Sequence, residues 1–341
     1  MRKLVILIVS LHLALLVPGS SLLYAQDLNK SAQAGLKFTD IGLSARAAGM
    51  GEAFTLIGDD ANAIFYNPAG IAQMQDGKFD LTFGIVNWIA DIKLNAVGFV
   101  GNLGTWGNVG VSFFNVDYGI SEGTRYDPSS EDGYTDTGPL NLESFALGLS
   151  YARQLTEKFM IGASVKYAYE HLGATPFMNI VEADTSIVEI ENETSTPICD
   201  IGTVFYPGFK SLRFGMSIKN FTPALQYTFE EGRTNAFTAP LTFRMGAAMD
   251  ILELFGEYKD YAFLVDFELV HPRDFSKRYH LGGEFSILKI LKLRAGYKFG
   301  YDEEGVSFGA GINTGNVKLD YAYGAFGIFN SVNRVSCGLA F

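Results

Sequence analysis

The stretch Leu291-Lys292-Leu293-Arg294-Ala295-Gly296-Tyr297-Lys298-Phe299-Gly300 alternates an apolar residue with a polar or small one from end to end. A two-residue side-chain period belongs to a β-strand, and one apolar face opposite one polar face sets that strand between two different surroundings. The pattern recurs where Phe159, Ile161, Ala163, Val165, Tyr167 and Tyr169 alternate with Met160, Gly162, Ser164, Lys166, Ala168 and Glu170. It recurs again where Val317, Leu319, Tyr321 and Tyr323 oppose Lys318, Asp320, Ala322 and Gly324.

Carried along the chain, the alternation predicts fourteen strands. They fall at 78–87, 93–101, 107–116, 143–153, 159–170, 199–206 and 211–220, then at 241–250, 261–270, 279–287, 291–300, 305–313, 317–326 and 332–341. The connections sort by parity. Even-numbered ones such as 102–106, 155–158, 207–210, 288–290 and 314–316 are tight, with 251–260 the longer exception. The longest, 117–142, 171–198 and 221–240, are odd-numbered, polar and largely acidic, with Glu182, Asp184, Glu189, Glu191 and Glu193 in the second. Odd and even connections of an antiparallel sheet emerge at opposite ends. An even strand count with short turns at one end and long loops at the other is the pattern of a bacterial outer-membrane barrel. Closure also satisfies every backbone N–H and C=O within lipid.

Composition agrees. The chain has 341 residues, 48% hydrophobic, 14% aromatic and only 18% charged, with a mean hydropathy of +0.14. The charged share of soluble proteins is about 25%. After residue 17, however, no apolar run reaches the roughly 18 residues that a spanning helix needs. That excludes a multi-span helical protein. Sandwiches and propellers also alternate, but they seldom carry ten or more strands with aromatic-rich outer faces.

Met1-Arg2-Lys3 followed by the apolar run Leu4 to Val17 reads as a secretory signal peptide over residues 1–25, cut after Ala25. Its removal takes two of 26 basic side chains, leaving 24 against 37 acidic and a formal net charge of −13. Such a balance argues against nucleic acid as a partner. The barrel is expected over 78–341. Its last strand sets Val335, Cys337, Leu339 and Phe341 on one face and ends in an aromatic residue. This looks like the signal by which the barrel-assembly machinery recognises outer-membrane proteins. Cys199 and Cys337 fall on the sixth and fourteenth strands, too far apart around the wall for a disulfide.

Residues 26–77 do not alternate. Ala45, Ala47, Ala48, Gly49, Met50, Gly51 and Ala53 surround Arg46, and Asp59-Asp60 precede Ala61 to Tyr66 and Asn67-Pro68-Ala69-Gly70. Asp60 is suited to cap a short helix that Asn67-Pro68 and Gly70 would end. A segment of this size is expected to fold back as a luminal plug. The inward charges, including Asp80, Lys166, Arg244, Glu268, Glu284, Arg294 and Asp320, carry both signs and are expected to pair with one another or with that segment.

The run Phe38 to Phe54, continuing from Gly58 to Ala72, resembles the opening of PorV/PorQ family proteins. Gly42, Ala45, Arg46, Gly49, Met50 and Gly51 carry the likeness most sharply, while Asp59, Asp60, Asn67, Pro68 and Gly70 also fit FadL-type transporters. The resemblance implies a fourteen-strand outer-membrane barrel of type IX secretion. Its partners would be translocon components and secreted cargo bearing carboxy-terminal signal domains, met by loops 117–142, 171–198 and 221–240. A FadL-like transporter of hydrophobic compounds is the alternative. Catalysis and a cofactor are not expected. His12, His171, His271 and His280 lack metal-ligand spacing, and neither Cys-x-x-Cys nor Gly-x-Ser-x-Gly occurs. Gly309-Ala310-Gly311 sits in an alternating strand rather than before a helix.

Overall fold

The computed structural model describes residues 34–74, 79–181, 184–223, 225–226 and 236–341. The expected signal peptide and the beginning of the following segment lie outside these residues.

The chain first forms β1 (Phe79–Asn87), β2 (Lys93–Asn102) and β3 (Asn108–Asp117). A separate hairpin, β4 (Glu122–Tyr126) with β5 (Tyr134–Pro139), follows. Next come β6 (Leu142–Thr156), β7 (Phe159–Val181), β8 (Asp184–Phe205) and β9 (Arg213–Phe221). A two-residue pair, β10 (Leu225–Gln226) with β11 (Ala236–Phe237), precedes β12 (Thr242–Asp250) and β13 (Tyr261–Pro272). The wall ends with β14 (Arg278–Ile287), β15 (Leu291–Phe299), β16 (Glu304–Asn313), β17 (Val317–Phe326) and β18 (Ser331–Ala340). Leaving out β4, β5, β10 and β11, the strands close one antiparallel barrel of fourteen, each hydrogen-bonded to its neighbours in order, with β18 returning to β1. This is the fold class expected from the alternation, with strand positions matching to within a few residues except that β7 runs 11 residues past the expected end at 170 and β8 begins 15 residues before the expected start at 199.

Closure is local at the last residue. Phe79 N donates to Phe341 O at 2.7 Å, Phe341 N donates to Phe79 O at 2.9 Å, and the two rings stack with centroids 6.0 Å apart. Val335, Leu339 and Phe341 are exposed on the outer face, while Cys337 is partly covered and both cysteines are free. The outer wall is a field of exposed Phe, Leu, Ile, Val and Tyr. Along β1 and β3 every second residue points inward and is buried.

Two connections differ from the expectation of plain loops. Residues 117–142 contain the β4–β5 hairpin. Within 171–198, β7 and β8 continue to pair as far as Val181↔Asp184, whereas β6 leaves β7 at Leu172. The eight pairs from Ala174↔Glu191 outward therefore stand free of the barrel rim, reaching about 27 Å at ~3.4 Å per residue. Apolar and polar residues do not alternate strictly here, as in Phe177-Met178 and Ile187-Val188, and so the pairing escaped a reading by period. The longer connection at 251–260 contains a short 3-10 turn, Ile251–Leu254. Short turns face the periplasm and long loops the exterior in barrels of this kind, so the free hairpin is extracellular.

Candidate functional site: the luminal segment and the vestibule above it

The barrel's core lies in its lumen. Residues from Leu36 to Met74 are almost all buried, and among the described residues they touch every one of the fourteen wall strands. The short helix α1 (Ala45–Gly49) packs on β15 to β18. The 3-10 turn Ala61–Phe65 packs on β1, β2 and β3, and the turn Pro68–Gln73 on β3, β6, β7 and β8. Hydrogen bonds complete the circle. Arg213 on β9 donates to Leu56 O at 3.0 Å, Arg244 on β12 donates to Glu52 O at 2.9 Å, and Thr55 Oγ1 donates to Glu268 on β13 at 2.8 Å.

Side chains at the turns explain the local path. Ser44 caps α1 by accepting from Ala47 N, Asp60 caps the next turn by accepting from Asn62 N, and Asn67 caps the third by accepting from Ala69 N. Pro68 therefore begins a turn, at the first position where its missing N–H costs nothing, as well as following the one that ends at Phe65. Close approach explains the glycines. Gly49 lies against Gly309, where a Cβ would stand 2.9 Å from the opposing Cα. Gly51 has φ +64°, and a Cβ there would stand 2.8 Å from Tyr297 N. Segment and wall meet backbone to backbone at these points.

Arg46 is the electrostatic hub. Its Nε and Nη2 grip both oxygens of Glu284 on β14 at 2.9 and 3.0 Å, and its Nη1 reaches Asp59 at 2.6 Å and Asp60 at 2.7 Å. Glu284 also accepts from Arg294 at 2.7 Å, and Arg294 reaches Asp320 at 2.6 Å. Burial by itself would lower the Arg46 pKa, but Asp59, Glu284 and Asp60 outweigh it and hold the guanidinium well above its ordinary value. Asp80 bridges the segment to the wall, accepting from Ala61 N at 2.9 Å and from Lys318.

Above this segment, toward the long loops, lies an open vestibule of about 500 Å³. Its floor is Gly42, Glu52 and Tyr66, and its rim includes Trp88, Tyr118, Phe275 and Tyr301. Gly42 leaves the space that the Glu52 carboxylate occupies, since a Cβ there would collide with it. Glu52 faces Arg334 at 3.5 Å. Burial would raise its pKa, but Arg334, Lys298 and Arg244 together keep it below the usual carboxylate range. The sequence singled out Gly42, Ala45, Arg46, Gly49, Met50, Gly51, Asp59, Asp60, Asn67, Pro68 and Gly70. All lie in this segment, and Arg46, Asp59 and Asp60 meet in one cluster. Val335, Cys337, Leu339 and Phe341 lie on the wall, apart from it. The sequence reading missed Glu52 and the vestibule. A positive-φ glutamate (φ +61°) directly after Gly51 carries no signal without its long-range partners.

These features define an outer-membrane β-barrel of fourteen strands whose lumen is occupied by its own N-terminal segment. The model of the type IX secretion system membrane protein PorP/SprF matches residues 134–327, more than half the sequence. The chain belongs to that family. The match runs from β5 to the end of β17 and leaves out the 38–72 stretch that resembles PorV/PorQ proteins. The toluene transporter TbuX of Ralstonia pickettii is similar in structure, with a TM-score of 0.57 at 15% identity, covering 88% of this chain and 97% of that one. The toluene transporter TodX of Pseudomonas putida gives 0.56 at 14%, covering 88% and 97%. A FadL homologue of Pseudomonas aeruginosa gives 0.51 at 12%, covering 88% and 98%. At these identities the likeness shows the fold alone. No curated protein matches the sequence.

Proposed function

We propose that this protein is a non-catalytic component of type IX secretion of the PorV/PorQ kind, which engages translocon components and presents secreted cargo at the cell surface through its extracellular hairpins. The observation that carries the reading is the combination of family membership with a lumen whose own segment is fastened to all fourteen strands. A barrel so filled acts through its rim and loops. The β4–β5 hairpin and the free end of β7–β8 supply that surface, with paired backbone rigid enough to present side chains to a partner. The residue run 38–72 supports the PorV/PorQ assignment, with Arg46 and its neighbouring glycines forming the plug.

The test is genetic. Deleting the gene and profiling surface proteins is expected to deplete cargo with carboxy-terminal signal domains. Shortening only the free β7–β8 hairpin should reproduce the loss while the barrel still inserts. An unchanged surface proteome in the deletion strain would refute the proposal. A FadL-like transporter is the second reading, favoured by the likeness of the fold to toluene transporters. It predicts slower uptake of a hydrophobic compound on deletion, with cargo unaffected.

A further inference from the structure

We propose that the extracellular vestibule is a binding site for a small organic anion, a carboxylate or phosphoryl group on a body with flat faces. Most charges in the lumen are internally neutralised. Arg46, Lys166, Arg244, Arg294, Lys298, Lys318 and Arg334 each face a carboxylate. Two cations lining the vestibule do not follow the rule. Arg278 lies between two rings, 4.2 Å from the Phe275 centroid and 4.0 Å from that of Tyr301. Lys219, 8% exposed, stands 5.6 Å from the Tyr66 ring. Neither has an ion pair among the described residues.

A buried ammonium with no carboxylate at ion-pair distance is expensive, and an anion entering from outside would supply the missing contact. Arg278 is already oriented. Stacking between two rings holds its planar fork and leaves the edge N–H groups available, the arrangement that grips two oxygens at once. Lys219 on β9 and Arg278 on β14 are separated by β12 and β13, so their backbones lie about 14 Å apart across the wall at ~4.8 Å per strand, with a two-residue offset along it. Two long side chains extending inward from those positions can converge on one anionic group. The acidic residues of the lining are mostly engaged elsewhere, and Asp40 and Asp200 act on Lys219 only from beyond ion-pair distance, with Asp200 already paired to Lys166 at 2.7 Å. Glu52 is held by Arg334, Glu304 by Lys298, and Glu170 accepts from Leu36 N at 3.1 Å. Asp40 accepts from Thr242 Oγ1 at 3.3 Å.

The cavity's size suits a monosaccharide or an aromatic acid, since small-molecule sites run from roughly 300 to 1,000 Å³. Trp88 and Tyr118 line the cavity beside such a body, and the opening is to the exterior. The ligand is therefore taken from the medium. This inference does not depend on the secretion role.

Trp88 supplies the readout. With Trp106→Phe, it is the remaining tryptophan of the chain, and its fluorescence in the full-length protein in detergent can be titrated with glucuronate, glucose and inorganic phosphate. Glucuronate is expected to saturate the signal with an affinity that weakens as salt rises. Glucose, of similar shape but uncharged, should bind at least about tenfold more weakly, the value of one charge-assisted hydrogen-bond set. Binding of phosphate as well would show that the anionic group suffices. Arg278→Ala and Lys219→Met should each weaken glucuronate by about tenfold or more. Arg278→Lys should recover part of the loss, and Lys289→Ala at the periplasmic end should change nothing. Retention of the barrel's heat-modifiable mobility on gels identifies variants that are folded. Equal binding of glucose and glucuronate, or unchanged affinity in folded Arg278→Ala and Lys219→Met proteins, would overturn the proposal.

Discussion

The two sides of the luminal segment are fastened to the wall by different physics. Toward β14 to β17, α1 is held by charge: Arg46, Glu284, Arg294 and Asp320 form one chain of ion pairs, with Asp59 and Asp60 closing it from the segment itself. Toward β1 to β8, Ile64, Phe65, Ile71 and Ala72 pack on apolar inner-wall residues, and Phe38 and Phe65 each meet Phe114 with centroids 5.7 and 6.4 Å away. The ionic side fixes position, because a bidentate arginine accepts one geometry. The apolar side adheres mainly by packing, with a few hydrogen bonds such as Ala61 N to Asp80 at 2.9 Å and Asn108 Nδ2 to Ile71 O at 2.7 Å. A segment fastened both ways has a definite register.

The largest effect is expected on the ionic side. Arg46→Ala leaves Glu284, Asp59 and Asp60 facing one another without their common partner, which costs about 3–5 kcal/mol for a broken buried pair. Protease accessibility of the segment in outer-membrane vesicles should rise sharply, while the barrel itself stays folded. If the segment stayed protected, the apolar side alone would be holding it.

A comparable test on the other side is Ile71→Ala. Ile71 is fully buried, and removing its side chain should cost about 2–5 kcal/mol. Chemical unfolding followed by tryptophan fluorescence would read the loss. Salt should leave that variant's deficit unchanged while weakening the protein's ionic side, and this difference separates the two mechanisms.

A close-approach substitution is smaller but more local. Gly309→Ala puts a methyl group against Gly49, and overpacking of this kind costs about 1–3 kcal/mol. Release of α1 ahead of residues 61–73 under limited proteolysis is the expected outcome; release of both together would merge the two sides into one unit.

Acidification gives the smallest and most gradual effect. The folded-state pKa of Glu52 lies below its ordinary value of 4.5, so its contribution is complete above that value and is lost as pH falls through the depressed one. Asp59 is likewise lowered: enclosure opposes the shift, and Arg46 prevails. Its side chain is 66% exposed, so solvent screens much of that pair. Stability should be flat from neutral pH to about pH 5 and decline below it. A loss beginning above pH 6 would point to other groups.

How much of this was legible follows from range. Alternation is a property of adjacent residues, so the fourteen strands could be read from stretches such as Leu291 to Gly300 without knowing any partner. The capping role of Asp60 is equally local, whereas Asn67, expected to end a helix, instead caps the turn that Pro68 begins. Strand pairing escaped in 117–142 because polar residues serve hairpins and loops alike, and in 171–198 because apolar and polar residues do not alternate strictly there. Arg46 and Glu284 are 238 positions apart, and nothing in either neighbourhood names the other. Charges of both signs were visible; their pairing was not.

The sequence by itself determined the strand count, the outward apolar face, the two unequal ends and the existence of a small-residue segment that could not be a strand. Tertiary structure alone decided which glycine faces which, which carboxylate takes Arg46, and that Arg278 and Lys219 are left facing an open vestibule. The physical reason is that side-chain period and turn chemistry act over a few residues, whereas closing a barrel around its own chain brings together groups from all fourteen strands at once.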